Sequence, residues 1–186
     1  MIRSASAVLL AAATAAGAAG CAASTPTAPS ATTYTGTFSA MRVDGNAAGG
    51  VTCTWTTTDA GTVTITLTQN ANGTVSGSGL ITHTLTPAGP TVVTGGRGAT
   101  CPANTGLPAS NWGGPLTGTT SNLAFSQQAT APAEGTGTIV TTLGFTGALS
   151  GGVITGTVSA TVTGTGTSNG LTVTHTGSMS APVTLR

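Results

Sequence analysis

Apolar and hydroxyl-bearing side chains alternate along most of the chain after residue 33. In the segment 62–68, Val63, Ile65 and Leu67 are separated by single threonines. The segment 171–185 keeps the same two-residue period along its whole length. Because successive side chains of a β-strand point to opposite faces, this alternation predicts strands with one buried face and one solvated face. Threonine suits the outer face, since its branched Cβ fits the pleat and its hydroxyl contacts water.

The period predicts nine strands joined mostly by short connections. Residues 70–73 and 150–152 have the composition of tight hairpin turns. Longer loops are predicted over 44–50 and 164–170, and an irregular segment over 95–115. The predicted strands are 34–43, 51–57, 62–69, 74–86, 91–94, 116–127, 137–149, 153–163 and 171–185.

This arrangement predicts an all-β domain over residues 34–186. We expect a single antiparallel up-and-down β-barrel of about eight strands, in which the first and last strands pair and leave no exposed edge. A two-sheet β-sandwich is the alternative. Several glycines fall on the apolar faces, among them Gly79, Gly156 and Gly177, where they allow a sharp bend or the approach of a neighbouring ring.

The N-terminus reads as a secretory signal peptide over residues 1–20. Arg3 precedes an uncharged stretch rich in alanine and leucine, and small residues precede Cys21. The end of this stretch, Ala18-Ala19-Gly20-Cys21, resembles the lipobox of bacterial lipoproteins. The resemblance implies cleavage before Cys21, a diacylglycerol on its thiol and an acylated N-terminus. Residues 21–33, rich in Pro, Ser and Thr, would then be a tether. Ordinary secretion, with cleavage a few residues later, is the alternative.

Cysteine usage agrees with export. With Cys21 assigned to the anchor, Cys53 and Cys101 remain, and an oxidising compartment lets them form a disulfide bond. Two separate buried thiols are the alternative. No Cys-x-x-Cys spacing occurs, so the sequence does not indicate a zinc ribbon or a redox motif.

Charge is scarce enough to exclude one class of partner. The 186 residues contain four Lys and Arg, three Asp and Glu, and a formal net charge of +1. Binding to nucleic acid requires many more cations to neutralise phosphates, so no nucleic-acid partner is expected.

A short motif in the first strand supports the barrel. Gly36-Thr37-Phe38 resembles the Gly-x-Trp opening of lipocalin-like and avidin-like barrels, with Phe38 in the place of the tryptophan. The resemblance covers one strand and implies a barrel fold without assigning a ligand.

The two histidines share the period of their apolar neighbours. His83 is in register with Ile81 and Leu85, and His175 follows Val173, so both are predicted to point inwards. Two inward imidazoles could meet and bind a metal or the polar end of a ligand. The alternative is that each is a buried histidine bonded to a hydroxyl or carbonyl group. No third ligand is evident, and no metal site is predicted.

Other candidates for ligand binding are aromatic and basic residues. Trp112 and Arg97 lie in the predicted irregular segment, and Tyr34 lies at the start of the first strand. Aromatic side chains contribute large contact areas to sugars and apolar ligands. The acids Asp44, Asp59 and Glu134 are predicted to be solvated residues in or beside turns.

No catalytic motif is present, and we expect a non-enzymatic protein without a cofactor. The sequence predicts an exported protein held at the membrane of the cell envelope by its lipid, or else a soluble secreted or periplasmic one. Within that setting we expect a binding module for a small or apolar ligand. The alternative is a structural or adhesive envelope protein whose hydroxyl-rich surface is the functional part.

Overall fold

The computed structural model describes residues 29–96, 98–133 and 135–186. Nine strands run through these residues, so the prediction of an all-β domain is confirmed. The strands are β1 (Thr32–Ala48), β2 (Val51–Gln69), β3 (Val75–Pro87), β4 (Val92–Thr94), β5 (Leu107–Thr119), β6 (Asn122–Pro132), β7 (Thr136–Ser150), β8 (Val153–Ser168) and β9 (Leu171–Leu185). Within the described ranges there is no helix whose length and apolar character would let it cross a bilayer.

Eight of the strands close into one antiparallel barrel. They pair in the order β1-β2-β3-β5-β6-β7-β8-β9, and β9 pairs again with β1. At the closure Val43 lies opposite Ser178, and Thr35 and Arg186 exchange backbone hydrogen bonds of 2.9 and 3.1 Å. The predicted up-and-down barrel is confirmed, and the sandwich alternative is excluded. The short strand β4 pairs with residues 52–54 of β2, beyond the last residue of β3.

The up-and-down order gives the barrel two ends with different connections. The lower end holds the first described residues, the C-terminus, and the turns at 70–74, 120–121 and 151–152. The upper end holds the turns at 49–50 and 169–170, residues 133 and 135 between β6 and β7, and the described residues of the long connection between β3 and β5, which includes β4.

Apolar side chains from all eight barrel strands pack into a continuous core in the lower and middle lumen. Phe125 and Phe145 stack there with ring centroids 5.9 Å apart. Glycines on other strands make room for these rings: a Cβ added at Gly79 would overlap Phe125, and one at Gly156 would overlap Phe145. The prediction that glycines on the apolar face admit neighbouring rings is confirmed at these positions.

Strand β2 is continuous where the sequence predicts a turn. The composition of Asp59-Ala60-Gly61 predicts a break between two strands, and this prediction is wrong. Residues 57–61 pair with β1 on one side and with β3 on the other. Hydrogen bonds on both edges outweigh the weak local preference for a turn, because β-propensity depends strongly on neighbouring strands.

Two predicted loops are much shorter than expected. Strands β1 and β8 continue to Ala48 and Ser168, and each hairpin turns on two residues, 49–50 and 169–170. All four turn residues have positive φ, which fits a type I′ turn and favours Gly and Asn. The predicted irregular segment also ends early, because β5 begins at Leu107. The predicted strand 116–127 is divided by the turn at 120–121.

The pairing of β5 with β6 is the shortest between consecutive strands of the barrel. Their ladder covers three residue pairs, 117–119 with 122–124, whereas β7 and β8 pair over fifteen. Beyond the ladder the side chain of Gln127 replaces a backbone partner, since its Oε1 accepts a 2.6 Å hydrogen bond from the amide of Gly113.

The predicted disulfide bond between Cys53 and Cys101 is present, with 5.8 Å between the two Cα atoms. It joins β2 to the connection over the upper end, across a sequence separation of 48 residues. In the chain-entropy description, closing a loop of this length stabilises the fold by about 4 kcal/mol. We call residues 98–106, which this bond holds in place, the strap.

Candidate functional site

Four polar side chains meet inside the upper half of the barrel. Arg42 and Asp44 come from β1, Asp59 from β2 and His83 from β3. Each points inwards because it shares the alternation of the apolar residues on its strand. Arg42, Asp59 and His83 are buried, with 5%, 0% and 6% of their surface exposed, and Asp44 is half-buried. We call these four residues the polar cluster.

The cluster is connected by charged hydrogen bonds. The Nε–H of Arg42 donates to both carboxylate oxygens of Asp44, at 3.0 and 2.9 Å. Nδ1 of His83 lies 2.7 Å from Oδ1 of Asp59. An ionised carboxylate can only accept, so Nδ1 carries the proton of this hydrogen bond. Nη1 of Arg42 lies 3.9 Å from the other oxygen of Asp59, which is an ion pair but too long for a hydrogen bond.

Local backbone features bring His83 to Asp59. His83 lies opposite Gly61 on β2, and a Cβ at Gly61 would come within 2.9 Å of the His83 Cβ. Without that Cβ the imidazole has room to reach Asp59, two residues along β2. On its other side β5 carries a bulge, since the three residues 83–85 face the four residues 107–110. Bulges commonly redirect side chains next to functional sites.

Two buried oxygen atoms in this region have no hydrogen-bond partner among the described residues. They are Oδ2 of Asp59 and Oγ1 of Thr57, which lies directly opposite Arg42 in the β1–β2 ladder. Burial also raises the pKa of Asp44, an effect that its ion pair with Arg42 partly offsets. Unsatisfied buried polar atoms and buried charges destabilise a fold, so the cluster is not explained by stability.

An open pocket of about 230 Å³ lies above the cluster. We call it the upper pocket, and its walls are Arg42, Asp44, Trp55, Thr57, Leu85 and residues 102–107. The strap forms one wall and is held by more than the disulfide bond. Trp55 Nε1 donates to the carbonyl of Pro102 at 3.0 Å, and Asn104 Nδ2 donates to the carbonyl of Thr56 at 2.8 Å.

The cluster can perform acid–base chemistry in principle, because a histidine oriented by a carboxylate is the arrangement of many general bases. A general base also needs a reacting group beside its second nitrogen. The neighbour that the structure places against the ring is Trp112, edge-on with centroids 6.4 Å apart. The described ranges contain no group of three or more His, Cys, Asp and Glu side chains that could hold a metal ion.

Comparison with known proteins gives no assignment: the chain matches no family model, no curated protein and no solved structure. The site must therefore be interpreted from its own geometry.

The two histidines, which could have met in the lumen, lie in different surroundings. His83 belongs to the polar cluster, whereas His175 on β9 lies between Asn46 on β1 and Gly164 on β8. His175 is half-buried, and its Nε2 is buried without a hydrogen-bond partner among the described residues. It lies on the β9 side of the upper end, and no hydrogen bond between the two imidazoles is found in the described part of the chain.

The other predicted ligand residues are not all near the upper pocket. Trp112 was expected in a loop, but it lies on β5, is half-buried and packs against the core and His83. Tyr34 is buried in the apolar core near the lower end, opposite Ile65. Arg97 and Cys21 lie outside the described residues.

Sequence reasoning missed the acids and the arginine of the cluster. Asp44 and Asp59 were expected to be solvated turn residues, and both expectations are wrong because each lies within a strand and points inwards. The signal was present, since Asp59 has the same parity as Val63 and Ile65. Extending the alternation through the apparent turn would have placed Asp59 on the inner face with His83.

Proposed function

We propose that this protein binds a small polar ligand in the upper pocket. One observation carries the proposal: the described residues include four charged side chains, Arg42, Asp44, Asp59 and Arg186, and the first three meet below this pocket. Removing charges from water costs several kcal/mol per ion before pairing offsets it. A protein with so few charges that gathers two buried ones and a half-buried one beside an open cavity has the features of a functional site.

The shape of the lumen favours a polar ligand over an apolar one. Phe38 and its apolar neighbours fill the lower and middle barrel, so an apolar ligand would have to displace the core. The upper pocket instead has Thr57, Arg42 and Asp44 in its lining, between walls of Trp55, Leu85 and the strap. A few polar groups within largely apolar walls are typical of small-molecule sites.

The chain direction fits a protein anchored at its N-terminus. Strand β1 starts at Thr32 at the lower end and rises towards the upper pocket by about 3.3 Å per residue. We propose that Cys21 carries the lipid and that residues 21–33 form the tether. A barrel attached in this way would direct the upper pocket away from the membrane, where an extracytoplasmic ligand can enter.

Native mass spectrometry of the mature protein purified from its own host tests the ligand. We expect an added mass on the wild type, and loss of that mass in Thr57→Val, which removes the unpaired hydroxyl and keeps the side-chain shape. Thr117→Val, at an exposed position on β5 that does not line the upper pocket, is the matched control and should retain the mass. If wild type and Thr57→Val both carry no added mass, and added small polar compounds change neither the fluorescence of Trp55 nor the melting temperature, the proposal is wrong.

Membrane fractionation tests the anchor separately. We expect the wild type in the membrane fraction and Cys21→Ser in the soluble fraction. A wild type that is already soluble, with a mature chain beginning after Ala23, would show that the protein is secreted without a lipid.

A second candidate function rests on the outer wall. The outward positions of β7, β8 and β9 are mostly threonine and serine, and the hydroxyls of Thr136 and Thr167 lie 2.7 Å apart across β7 and β8. Such an uncharged, hydroxyl-rich wall would suit an adhesive or structural role. Retention on insoluble envelope polysaccharide that is lost when Thr161 and Thr163 are replaced by Val, but kept in Thr57→Val, would favour this candidate.

A further inference from the structure

We infer that the ligand of the upper pocket is a neutral polyhydroxy compound of the size of one sugar ring. The inference rests on the proposed function and names the chemical class that the same pocket takes. It follows from the pairing of the two charges that line the pocket, from the mixture of hydrogen-bond donors and acceptors around that pair, and from the partly apolar walls.

The two charged side chains in the lining of the upper pocket have opposite signs and are paired with each other. Arg42 and Asp44 both line the pocket, and the Nε–H of Arg42 donates to both carboxylate oxygens of Asp44. A charged ligand group that approaches this pair is attracted by one member and repelled by the other. Removing such a group from water costs free energy, which a charge already paired within the protein offsets only in part. A neutral ligand avoids both effects.

Donors and acceptors both remain available around the ion pair. The Nη groups of Arg42 make no hydrogen bond with the described residues and keep some exposed surface, so they are free donors. The side chain of Asp44 is 23% exposed, and its carboxylate has lone pairs left to accept. Oδ1 of Asn104 is a second acceptor, since only its Nδ2 is bonded, to the carbonyl of Thr56. The exposed hydroxyl of Thr105 can act either way.

Hydroxyl groups match this mixed set better than charged groups do. A hydroxyl both donates and accepts, and it rotates to suit its neighbours. Two neighbouring hydroxyls of one ligand can therefore donate to Asp44 and accept from Arg42. An ammonium group only donates and a carboxylate only accepts, so each leaves one member of the pair unmatched. An amino acid carries both groups, but it brings two strongly hydrated charges to side chains that already neutralise each other.

The walls offer apolar surface to the carbon skeleton of such a ligand. Trp55, Leu85 and Leu107 line the pocket, and the indole of Trp55 is held in place by its hydrogen bond to the carbonyl of Pro102. Aromatic side chains contribute large contact areas to ligands that combine an apolar body with polar groups. A volume of about 230 Å³ corresponds to roughly seven or eight water molecules at about 30 Å³ each, which suits a single ring.

Binding of matched sugars to the mature protein tests the inference. Glucose, galactose and mannose are each compared with the amino sugar and the uronic acid of the same ring. Cyclohexanol represents a ring with one hydroxyl, and free leucine represents a zwitterion. Affinity is measured at constant ionic strength by the fluorescence of Trp55 in a Trp112→Phe background, and by calorimetry on the wild type. We expect at least one neutral sugar to bind roughly tenfold or more tightly than cyclohexanol, leucine and its own charged relatives.

Variants locate the effect in the upper pocket. Asp44→Asn removes the negative member of the ion pair with little change of shape, so the neutral sugar should bind roughly tenfold more weakly and the uronic acid should gain affinity relative to it. Thr117→Val, at an exposed position on β5 that does not line the upper pocket, should keep the wild-type affinities. Circular dichroism and urea unfolding establish that each variant is folded. If Asp44→Asn is not, Thr105→Val takes its place and should weaken binding of the neutral sugar.

The outcomes separate the two proposals. If a charged sugar, leucine or cyclohexanol binds as tightly as every neutral sugar, or if the folded pocket variant keeps the wild-type affinities, the inference is overturned while the proposal of a small polar ligand is left standing. If no probe binds, the compound retained from the host decides: a neutral polyhydroxy compound supports the inference, and any other compound overturns it. If no compound binds and nothing is retained from the host, both proposals are wrong.

Discussion

Single residues decide how this barrel is filled. With few aromatic side chains available, two phenylalanine rings occupy space that glycines on other strands leave open. Phe125 reaches across to Gly79, and Phe145 covers Gly147 and Gly156. Gly177 has the same relation to a polar group, since a Cβ there would overlap the carboxylate of Asp44. In the core and at the polar cluster, glycines without a Cβ therefore leave the space that side chains from other strands fill.

Gly79→Ala tests this matching. The new methyl group would overlap the Phe125 ring, so we expect a loss of about 1–3 kcal/mol in the free energy of unfolding. Urea denaturation followed by far-UV circular dichroism measures it. Gly89→Ala is the matched control, because a Cβ at Gly89 meets nothing within 4 Å, and its effect should stay within about 0.5 kcal/mol. Equal effects of the two substitutions would contradict this account of the core.

Asp44 gives stability an unusual dependence on pH. Burial raises its pKa above the ordinary value of 3.8, against the opposing effect of Arg42. Between the two pKa values the folded chain binds more protons than the unfolded chain, so the contribution of Asp44 to stability increases as the pH falls. Asp44→Asn cannot titrate at this position.

The expected observable is the difference in free energy of unfolding, wild type minus Asp44→Asn. The wild type should gain stability relative to Asp44→Asn as the pH is lowered from neutrality towards 3.8, the ordinary pKa of an aspartate in the unfolded chain. All other residues are the same in both proteins, so the comparison reports the substitution at Asp44. A difference that is constant, or that shifts in favour of the variant on acidification, would show that burial does not dominate at Asp44.

At the level of elements, the number of residue pairs between neighbouring strands varies around the barrel. Strand β1 pairs with β2 over its full length, and this pairing carries β2 through a segment with the composition of a turn. The β5–β6 ladder has only three pairs, and there a side chain completes the wall. The length over which two strands pair depends on both of them. The alternation within one segment therefore predicts that a strand is present better than it predicts where the strand begins and ends.

Gln127→Ala tests the role of this side chain in the wall. The substitution removes the acceptor of the Gly113 amide, so exchange of that amide with deuterium should become faster by tenfold or more. Native-state hydrogen exchange measures the rate residue by residue. Gln128→Ala is the neighbouring control, since the Gln128 amide donates to Thr142, and it should leave Gly113 unchanged. Unaltered exchange in Gln127→Ala would mean that another group protects Gly113.

At the scale of the whole molecule, one closed sheet surrounds one continuous apolar core and one polar cluster. The closure between β1 and β9 joins the first strand to the last, so neither half of the barrel has a complete core by itself. The polar cluster shares strands β1, β2 and β3 with that core. Loss of the core would therefore separate the charged side chains as well.

This architecture predicts cooperative unfolding in a single transition. Far-UV circular dichroism reports the whole sheet, whereas fluorescence of Trp55 and Trp112 reports the upper half. With the disulfide bond intact, we expect the two signals to give the same denaturation midpoint. If the fluorescence changed first, the upper half and its pocket would be a separate and less stable unit.

Much of the candidate site was not predicted from the alternation of apolar and polar residues. The inward direction of His83 follows from parity with Ile81 and Leu85, and the structure agrees. Its partner Asp59 was missed because local turn composition was given more weight than the period. Thr57 could not be singled out at all, because its importance comes from a burial and a missing partner that depend on Arg42 and the strap.

The sequence alone determined the class of fold and the inner and outer faces, because side-chain direction alternates with every residue and needs no knowledge of distant contacts. It also predicted the disulfide partners, on the assumption that Cys21 is the anchor and leaves Cys53 and Cys101 to pair; the structure shows this bond. Only the tertiary structure decided where strands end, that the barrel closes, and that three charges meet beneath the upper pocket. These features depend on pairing and burial between residues far apart in the chain, and such contacts can override local preference wherever the two conflict.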